Sequence, residues 1–276
     1  MTDVAAQVQR HYGRGRLLER LDTALREAGV DPDRLTYRDL FPFDQFHGRG
    51  IDATREHAGH AGIRAEMLVL DLGCGIGGAS RYLAAERGCR VTGIDLTPEF
   101  VDVAGTLTAR CGLAGRITFR QADATRLPFE PGAFDHVWSH NVTMNIPDKQ
   151  ELGAEIARVL KPGGRFSCNE VAQGPAGAPA FPVPWASDPS ASFLCTPLEM
   201  RAALEAGGLR VLQQIDLTDT NRAAIRENAQ RAERGEPPRQ RTDVIGGADF
   251  SVRIRNSSRG VMEGRLVEHL IIAEKA

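Results

Sequence analysis

The stretch Asp71-Leu72-Gly73-Cys74-Gly75-Ile76-Gly77-Gly78 decides the reading of this chain. It ends MLVLDL (residues 67–72), a run apolar but for Asp71 and of the kind buried on both faces of a parallel sheet. Behind it, GASRYLAAER (residues 78–87) has the pattern of a helix. Glycines between a strand and a helix permit a tight turn and let the backbone approach a ligand closely. The helix N-terminus that follows offers unpaired N–H groups to a carboxylate or another anion. A turn that served no ligand would not need this density of glycine.

Outward from the loop, strand and helix alternate. RVTGID (90–95), RITFRQAD (116–123), FDHVWSH (134–140) and residues 165–171 read as strands. Pro98 suits the first position of the helix that follows the second strand, and another helix fills 149–160 until Lys161-Pro162-Gly163-Gly164 stops it. Repeated βα units with short links predict an α/β fold with a parallel, doubly wound sheet and right-handed crossovers. Residues 1–62 predict a helical cap. Leu17, Leu18, Leu21 and Leu25 fall on one helix face, and a second helix is expected over 52–61. Residues 63–276 are expected to form the ligand-binding domain, in one compact unit with the cap. Past Val171 the pattern loosens. Residues 174–192 hold five prolines and read as a long loop, a kind usually functional when it interrupts a compact domain. A helix (197–206), a strand (209–217), a charged helix (220–240) and the strand LVEHLIIAEK (266–275) complete the chain. The charges of 220–240 read as a solvated face.

Taken alone the glycine loop is ambiguous. Gly73, Gly75 and Gly78 also satisfy GxGxxG, with Asp95 near the spacing of a ribose-binding acid, so a nicotinamide or flavin enzyme competes. Three features oppose it. Asp71 stands where a pyrophosphate would be repelled and a cationic amine attracted. Asp123 ends the third strand with a second acid, suited to accept from an adenine amino group. No second mononucleotide-binding half follows Val171. A sulfonium methyl donor fits better.

Composition bounds the rest. In 276 residues, Lys plus Arg is 34 and Asp plus Glu is 36, a formal charge of -2, which gives no general attraction to nucleic acid or acidic membranes. The longest apolar run, 67–70, is far too short for a bilayer, and no basic-then-apolar leader opens the chain. The expectation is a cytoplasmic monomer or homodimer. The five cysteines form no CxxC pair and the histidines have no ligand spacing, so no disulfide framework and no metal are expected.

Five blocks in order, VLDLGCGIGG, GIDLTPEF, QADATRLPF, FDHVWSHNVTMNIPD and IARVLKPGGRF, resemble class I S-adenosylmethionine-dependent methyltransferases. The resemblance implies a Rossmann-like seven-stranded sheet with an antiparallel last strand. It implies S-adenosylmethionine as donor, with S-adenosylhomocysteine as product. It places Gly73, Gly75 and Gly77 against the methionine portion, with Asp71 beside them. Asp95 would hold the ribose, Leu96 lie beside the adenine, Asp123 and Ala124 hold the adenine edge, and His140 line the transfer site through its carbonyl. DQFHGRGIDATRE (44–56) further resembles sarcosine and dimethylglycine N-methyltransferases, departing from them where Arg49 replaces a glycine.

Methyl transfer from a sulfonium is an in-line displacement, for which alignment and exclusion of water supply most of the effect. The acceptor crevice of an open α/β sheet lies beyond the carboxyl ends of its strands. His140, Asn145 and His47 are the candidate catalytic groups there, His140 first as a base. Tyr12, Phe46, Asn141, Met144, Asn169 and Trp185 are the candidate acceptor contacts, with Glu170 near the same end and Phe181 near Trp185. Arg253, Arg255 and Arg259 read first as a solvated face, with capture of an acceptor carboxylate as the alternative. The expected activity is methyl transfer to a small molecule, with an amine nitrogen first. The alternatives are O- or C-methylation of a specialised metabolite, a donor-binding fold with another reaction, and, remotely, an NAD-dependent oxidoreductase.

Overall fold

The computed structural model describes residues 3–13, 15–247 and 249–276. Four helices lead in: α1 (Asp3–Tyr12), α2 (Leu17–Glu27), α3 (Phe41–Asp44) and α4 (Ile51–Ala61). The βα alternation follows: β1 (Leu68–Leu72), α5 (Gly78–Tyr82), β2 (Arg90–Asp95), α6 (Pro98–Arg110), β3 (Ile117–Gln121), β4 (Phe134–His140), α7 (Lys149–Val159) and β5 (Leu160–Gln173). The rest is α8 (Pro197–Ala206), β6 (Leu209–Asp216), α9 (Thr218–Glu233), α10 (Asp243–Gly246), α11 (Phe250–Met262) and β7 (Leu266–Lys275). The seven strands form one sheet in the order β3-β2-β1-β4-β5-β7-β6, with β7 antiparallel to both its neighbours. The reversal of order between β1 and β4 opens the crevice in which such sheets bind ligands.

Both faces of the sheet are covered, so its central strands are buried without alternation, β1 with Val69 to Leu72 and β4 with His136 to Ser139. On one face α7 and α8 bring Leu152, Ile156, Met200 and Leu204 against Leu70, Val137, Phe166 and Ile271. On the other, Ala58 and Ala61 of α4 and Tyr82 of α5 pack on Val69, Val91 and Trp138. The leucine face of α2 is buried, with Leu17, Leu21 and Leu25 meeting Phe100, Val103 and Leu107 of α6. Glu99, in the first turn of α6, fastens this contact by accepting from Leu17 N at 2.8 Å and Gly15 N at 2.9 Å.

Several expectations need correction. The helix read over 78–87 is α-helical only to Tyr82 and continues as a π-helical turn over Leu83–Arg87. The Lys161-Pro162-Gly163-Gly164 stretch does not stand outside the sheet. It belongs to β5, which begins at Leu160 and bulges where β4 meets it. The charged helix ends at Glu233, and α11 was not foreseen as a helix at all. Its Arg253 is no solvated side chain. It is buried, donating to Val183 O, Ser187 Oγ and Asp249, and so pins the proline-rich loop. Among the described residues no helix is long and apolar enough to cross a membrane.

Candidate active site

The glycine loop is built as its sequence requires. Gly73, Gly75 and Gly77 all adopt positive φ (64°, 54° and 85°), the region open to glycine without strain. A side chain at Gly73 would run into Val142, at 2.4 Å, whereas one at Gly75 would meet nothing within 4 Å. Gly75 thus faces open space over the carboxyl end of β1. Asp95, at the end of β2, braces the loop by accepting from Gly75 N at 3.0 Å and Thr97 N at 2.8 Å. Asp71 is buried and accepts from Ser80 Oγ at 2.6 Å. Burial raises its pKa to about 7 despite that bond.

The cleft these residues surround is lined by Asp71, Gly73, Gly75, Asp95, Leu96, Asp123, Ala124 and His140, gathered from four strand ends. Gly77 is a correction to the expected set. It does not line the cleft, and a side chain there would strike Phe119 at 2.8 Å and Arg81 at 2.9 Å, so it serves helix packing. Helix α1 lies across the mouth, with Gln9 Nε2 donating to Leu96 O at 2.8 Å and Tyr12 to Asn145 Oδ1 at 3.3 Å.

A second chamber opens next to the first. Tyr12, Phe46, His47 and Asn141 line both, which places them at the junction. Beyond it the walls are mainly apolar: Met144, Val171, Trp185, Ile225, Ile254 and Val261. Trp185 is held by donating from its indole to Ser192 Oγ at 2.9 Å. Asn145 lines the cleft and donates to Trp185 O at 3.0 Å, coupling the post-β4 turn to the proline-rich loop. That turn is rigid for another reason. Glu170 accepts from Ser139 Oγ, Val142 N, Thr143 N and Thr143 Oγ1, each at 2.9–3.0 Å. Glu170 therefore shapes the crevice from behind, and Asn169 is likewise fully buried and lines neither space. Both differ from the expectation of acceptor contact.

His47 and His140 stack with ring centroids 3.6 Å apart, and His57 meets His140 edge-on at 5.7 Å. Burial, then the mutual repulsion of the rings, holds His140 well below the usual imidazole range, and burial lowers His47 to about 4. Both rings are neutral at pH 7, which suits accepting a hydrogen bond and makes them weak bases.

A methyltransferase domain model matches residues 70–168. The chain carries a methyltransferase domain. Its class I fold is that of the solved structures it resembles, and the five blocks quoted above lie almost wholly within the matched span. Tocopherol O-methyltransferase of Arabidopsis thaliana is 47% identical over 98 residues, which are 36% of this chain and 28% of that enzyme. The chain thus matches less than a third of the length of this curated relative. Geranyl diphosphate C-methyltransferase of Streptomyces coelicolor A3(2) superposes over 100% of this chain and 99% of its own, with a TM-score of 0.73 at 20% identity. A structure titled as a sarcosine dimethylglycine methyltransferase from Galdieria sulphuraria covers 82% of this chain and 84% of its own, with a TM-score of 0.64 at 20% identity. The superposition on the C-methyltransferase extends over the whole of this chain, its N-terminal helices included.

Sequence reasoning missed the contribution of the C-terminal third. Ile225, Ile254 and Val261 wall the second chamber, and Glu268 and Arg49 line it too. The exposed charges of α9 hid the signal, because the small and apolar residues facing the chamber are interspersed with them.

Proposed function

We propose that this chain transfers the methyl group of S-adenosylmethionine to a small molecule held in the second chamber. The observation that carries the proposal is the cradle at Gly75, where a Cβ would enter empty space in a cleft that Asp71 and Asp95 also line. Asp71 would receive the donor's ammonium, Asp95 its ribose hydroxyls, and Asp123 and Ala124 the adenine edge. His140, with His47 stacked on it and Asn145 nearby, would border the methyl at the junction. The acceptor's nucleophile displaces the methyl from sulfur in line, the S–C electron pair returning to sulfur as S-adenosylhomocysteine forms. The protein aligns the two and excludes water, effects worth up to ~7–11 kcal/mol.

The resemblance of residues 44–56 supports an amine nitrogen as the acceptor atom. The apolar chamber walls support instead an acceptor larger and less polar than sarcosine, methylated on nitrogen, oxygen or carbon. Release of S-adenosylhomocysteine should be measured with the glycine series, aryl and alkyl amines, phenols and prenylated hydroquinones. Turnover is expected with aromatic or prenylated members and not with the glycine series. Turnover confined to the glycine series would reverse that order.

The donor site makes a pH prediction. A protonated Asp71 has no charge with which to hold the ammonium. Since its pKa is raised to about 7, S-adenosylhomocysteine binding should tighten as pH rises through about 7 and then level off. Asp71→Asn should abolish that rise, which calorimetric titration at several pH values would register.

A further inference from the structure

The end of the sheet beneath the second chamber carries a polar row. His140 on β4 pairs with Asn169 on β5, and Val171 on β5 pairs with Glu268 on β7. Side chains alternate across a sheet, so His140, Asn169, Val171 and Glu268 share one face. Three other carboxylates at this end are already engaged. Glu170 has four donors, Asp71 has Ser80, and Asp95 has two backbone amides. Glu268 differs. It is 4% exposed and lines the chamber, yet its nearest cation, Arg49 Nη2, stands 3.6 Å away, beyond hydrogen-bond reach.

Arg49 itself occupies a position that the family resemblance reserves for glycine. Its φ of 60° is in the left-handed region, and its guanidinium is bent inward, pairing with Glu56 at 2.7 Å. Its Nε and Nη2 have no hydrogen-bond partner, and neither has either amide atom of the adjacent, fully buried Asn169. A strained backbone thus holds a buried cation whose nearer partner is Glu56 and which reaches Glu268 only at ion-pair distance.

On the reading of the chamber given above, we propose that Glu268 is a specificity-determining anchor, accepting a hydrogen bond from an O–H or N–H group on the otherwise apolar body of the acceptor. An apolar molecule without such a group leaves a buried carboxylate unpaired, and a site built that way rejects it strongly. Glu268 would be charged only above about pH 7, because burial raises its pKa while the nearby Arg49 guanidinium partly holds it down. The charged groups facing it are Arg49 and, further off, Glu56, with Arg231, Glu236 and Arg239 around the chamber wall.

The test uses binding, so it does not depend on finding the natural acceptor. Three probes of one shape, 2-naphthol, 2-naphthylmethylamine and 2-methylnaphthalene, are titrated by ligand-observed NMR against the full chain with S-adenosylhomocysteine. The naphthol or the amine should bind about ten- to a hundredfold tighter than the methyl compound, the range for hydrogen bonds to a charged group. Which of the two leads distinguishes a hydroxyl from an ammonium on the acceptor. The preference should grow as pH rises through about 7 and shrink to about threefold or less in Glu268→Gln, which keeps the shape but not the charge. Arg49→Gly, whose backbone the left-handed conformation suits, should move that pH midpoint upward. Equal binding of all three probes, failure of all three to bind, or an unchanged preference in Glu268→Gln overturns the assignment. Should S-adenosylhomocysteine itself not bind, the donor reading fails, while the probe ratios measured on the free chain still decide the role of Glu268.

Discussion

Replacing Asp95 by alanine is expected to weaken S-adenosylhomocysteine binding by about a hundredfold to ten-thousandfold. Two bonds from ribose hydroxyls to a carboxylate are each worth about 1.5–3 kcal/mol, and a factor of ten needs about 1.4 kcal/mol. The carboxylate also braces the protein. Gly75 N and Thr97 N lose their acceptor, and each such orphaned amide costs about 1–3 kcal/mol unless water reaches it. Two losses therefore have to be separated. Circular dichroism and a melting curve report the folded fraction, and calorimetric titration well below the melting midpoint reports the affinity of what is folded. Asp95→Asn keeps an oxygen toward one amide and should recover more stability than affinity. An Asp95→Ala protein that is folded and binds S-adenosylhomocysteine within about threefold of the parent would refute the donor site.

How much of this was legible follows from where the constraints lie. The glycine loop and the acids at the neighbouring strand ends were readable as structure because each requirement there is local. A left-handed turn asks for glycine at Gly73 and Gly75, and an acid at a strand end stays at that end whatever surrounds it. β1 was readable because burial on both faces leaves a run that is apolar but for Asp71. Gly77 was misread because one glycine pattern serves both ligand approach and helix packing, and the proximity of Phe119 to Gly77 is a long-range fact. Asn169 and Glu170 were placed at the right end of the right strand. Which of two adjacent residues faces a cavity depends on what covers each face of the sheet, and periodicity does not supply that. The second chamber was least legible. Its walls come from β5, α9, α11 and β7, segments distant in sequence whose apolar residues are too sparse to mark a lining. Arg49 is instructive here, since it was visible as an exception, but its partner Glu268 lies 219 positions away by the numbering of the chain (268 minus 49).

The largest stability effect is expected at Arg81, which joins α5 to Asp44 of α3. Its guanidinium is fully buried and donates to Asp44 Oδ2 at 2.9 Å, Ile76 O at 2.8 Å and Thr108 Oγ1 at 3.1 Å. Asp44 is equally enclosed. Burial raises its pKa, and the neighbouring guanidinium opposes the shift without cancelling it. Removing one partner of such a pair strands the other's charge in the interior, at a cost of about 3–5 kcal/mol. Arg81→Met should accordingly lower the melting midpoint by roughly 6–20 °C, taking about 2–4 °C per kcal/mol for a chain of this size class. The damage should reach the cleft as well. Asp44 lines it, and the Asp44 carbonyl lies within 2.2 Å of where a Cβ on Gly78 would stand, so cap and glycine loop have no slack between them. The partner substitution decides whether charge or packing dominates. If the stranded carboxylate is the main cost, Arg81→Met combined with Asp44→Asn should recover a large part of the lost stability, with a coupling energy between the two sites of about 1–3 kcal/mol. Because an unpaired Asp44 can escape its penalty by taking up a proton, the single variant should also regain stability as pH falls below neutrality, relative to the parent at the same pH. Strict additivity of the two substitutions, with no pH dependence of the single variant, would assign the role of Arg81 to shape and backbone hydrogen bonding instead.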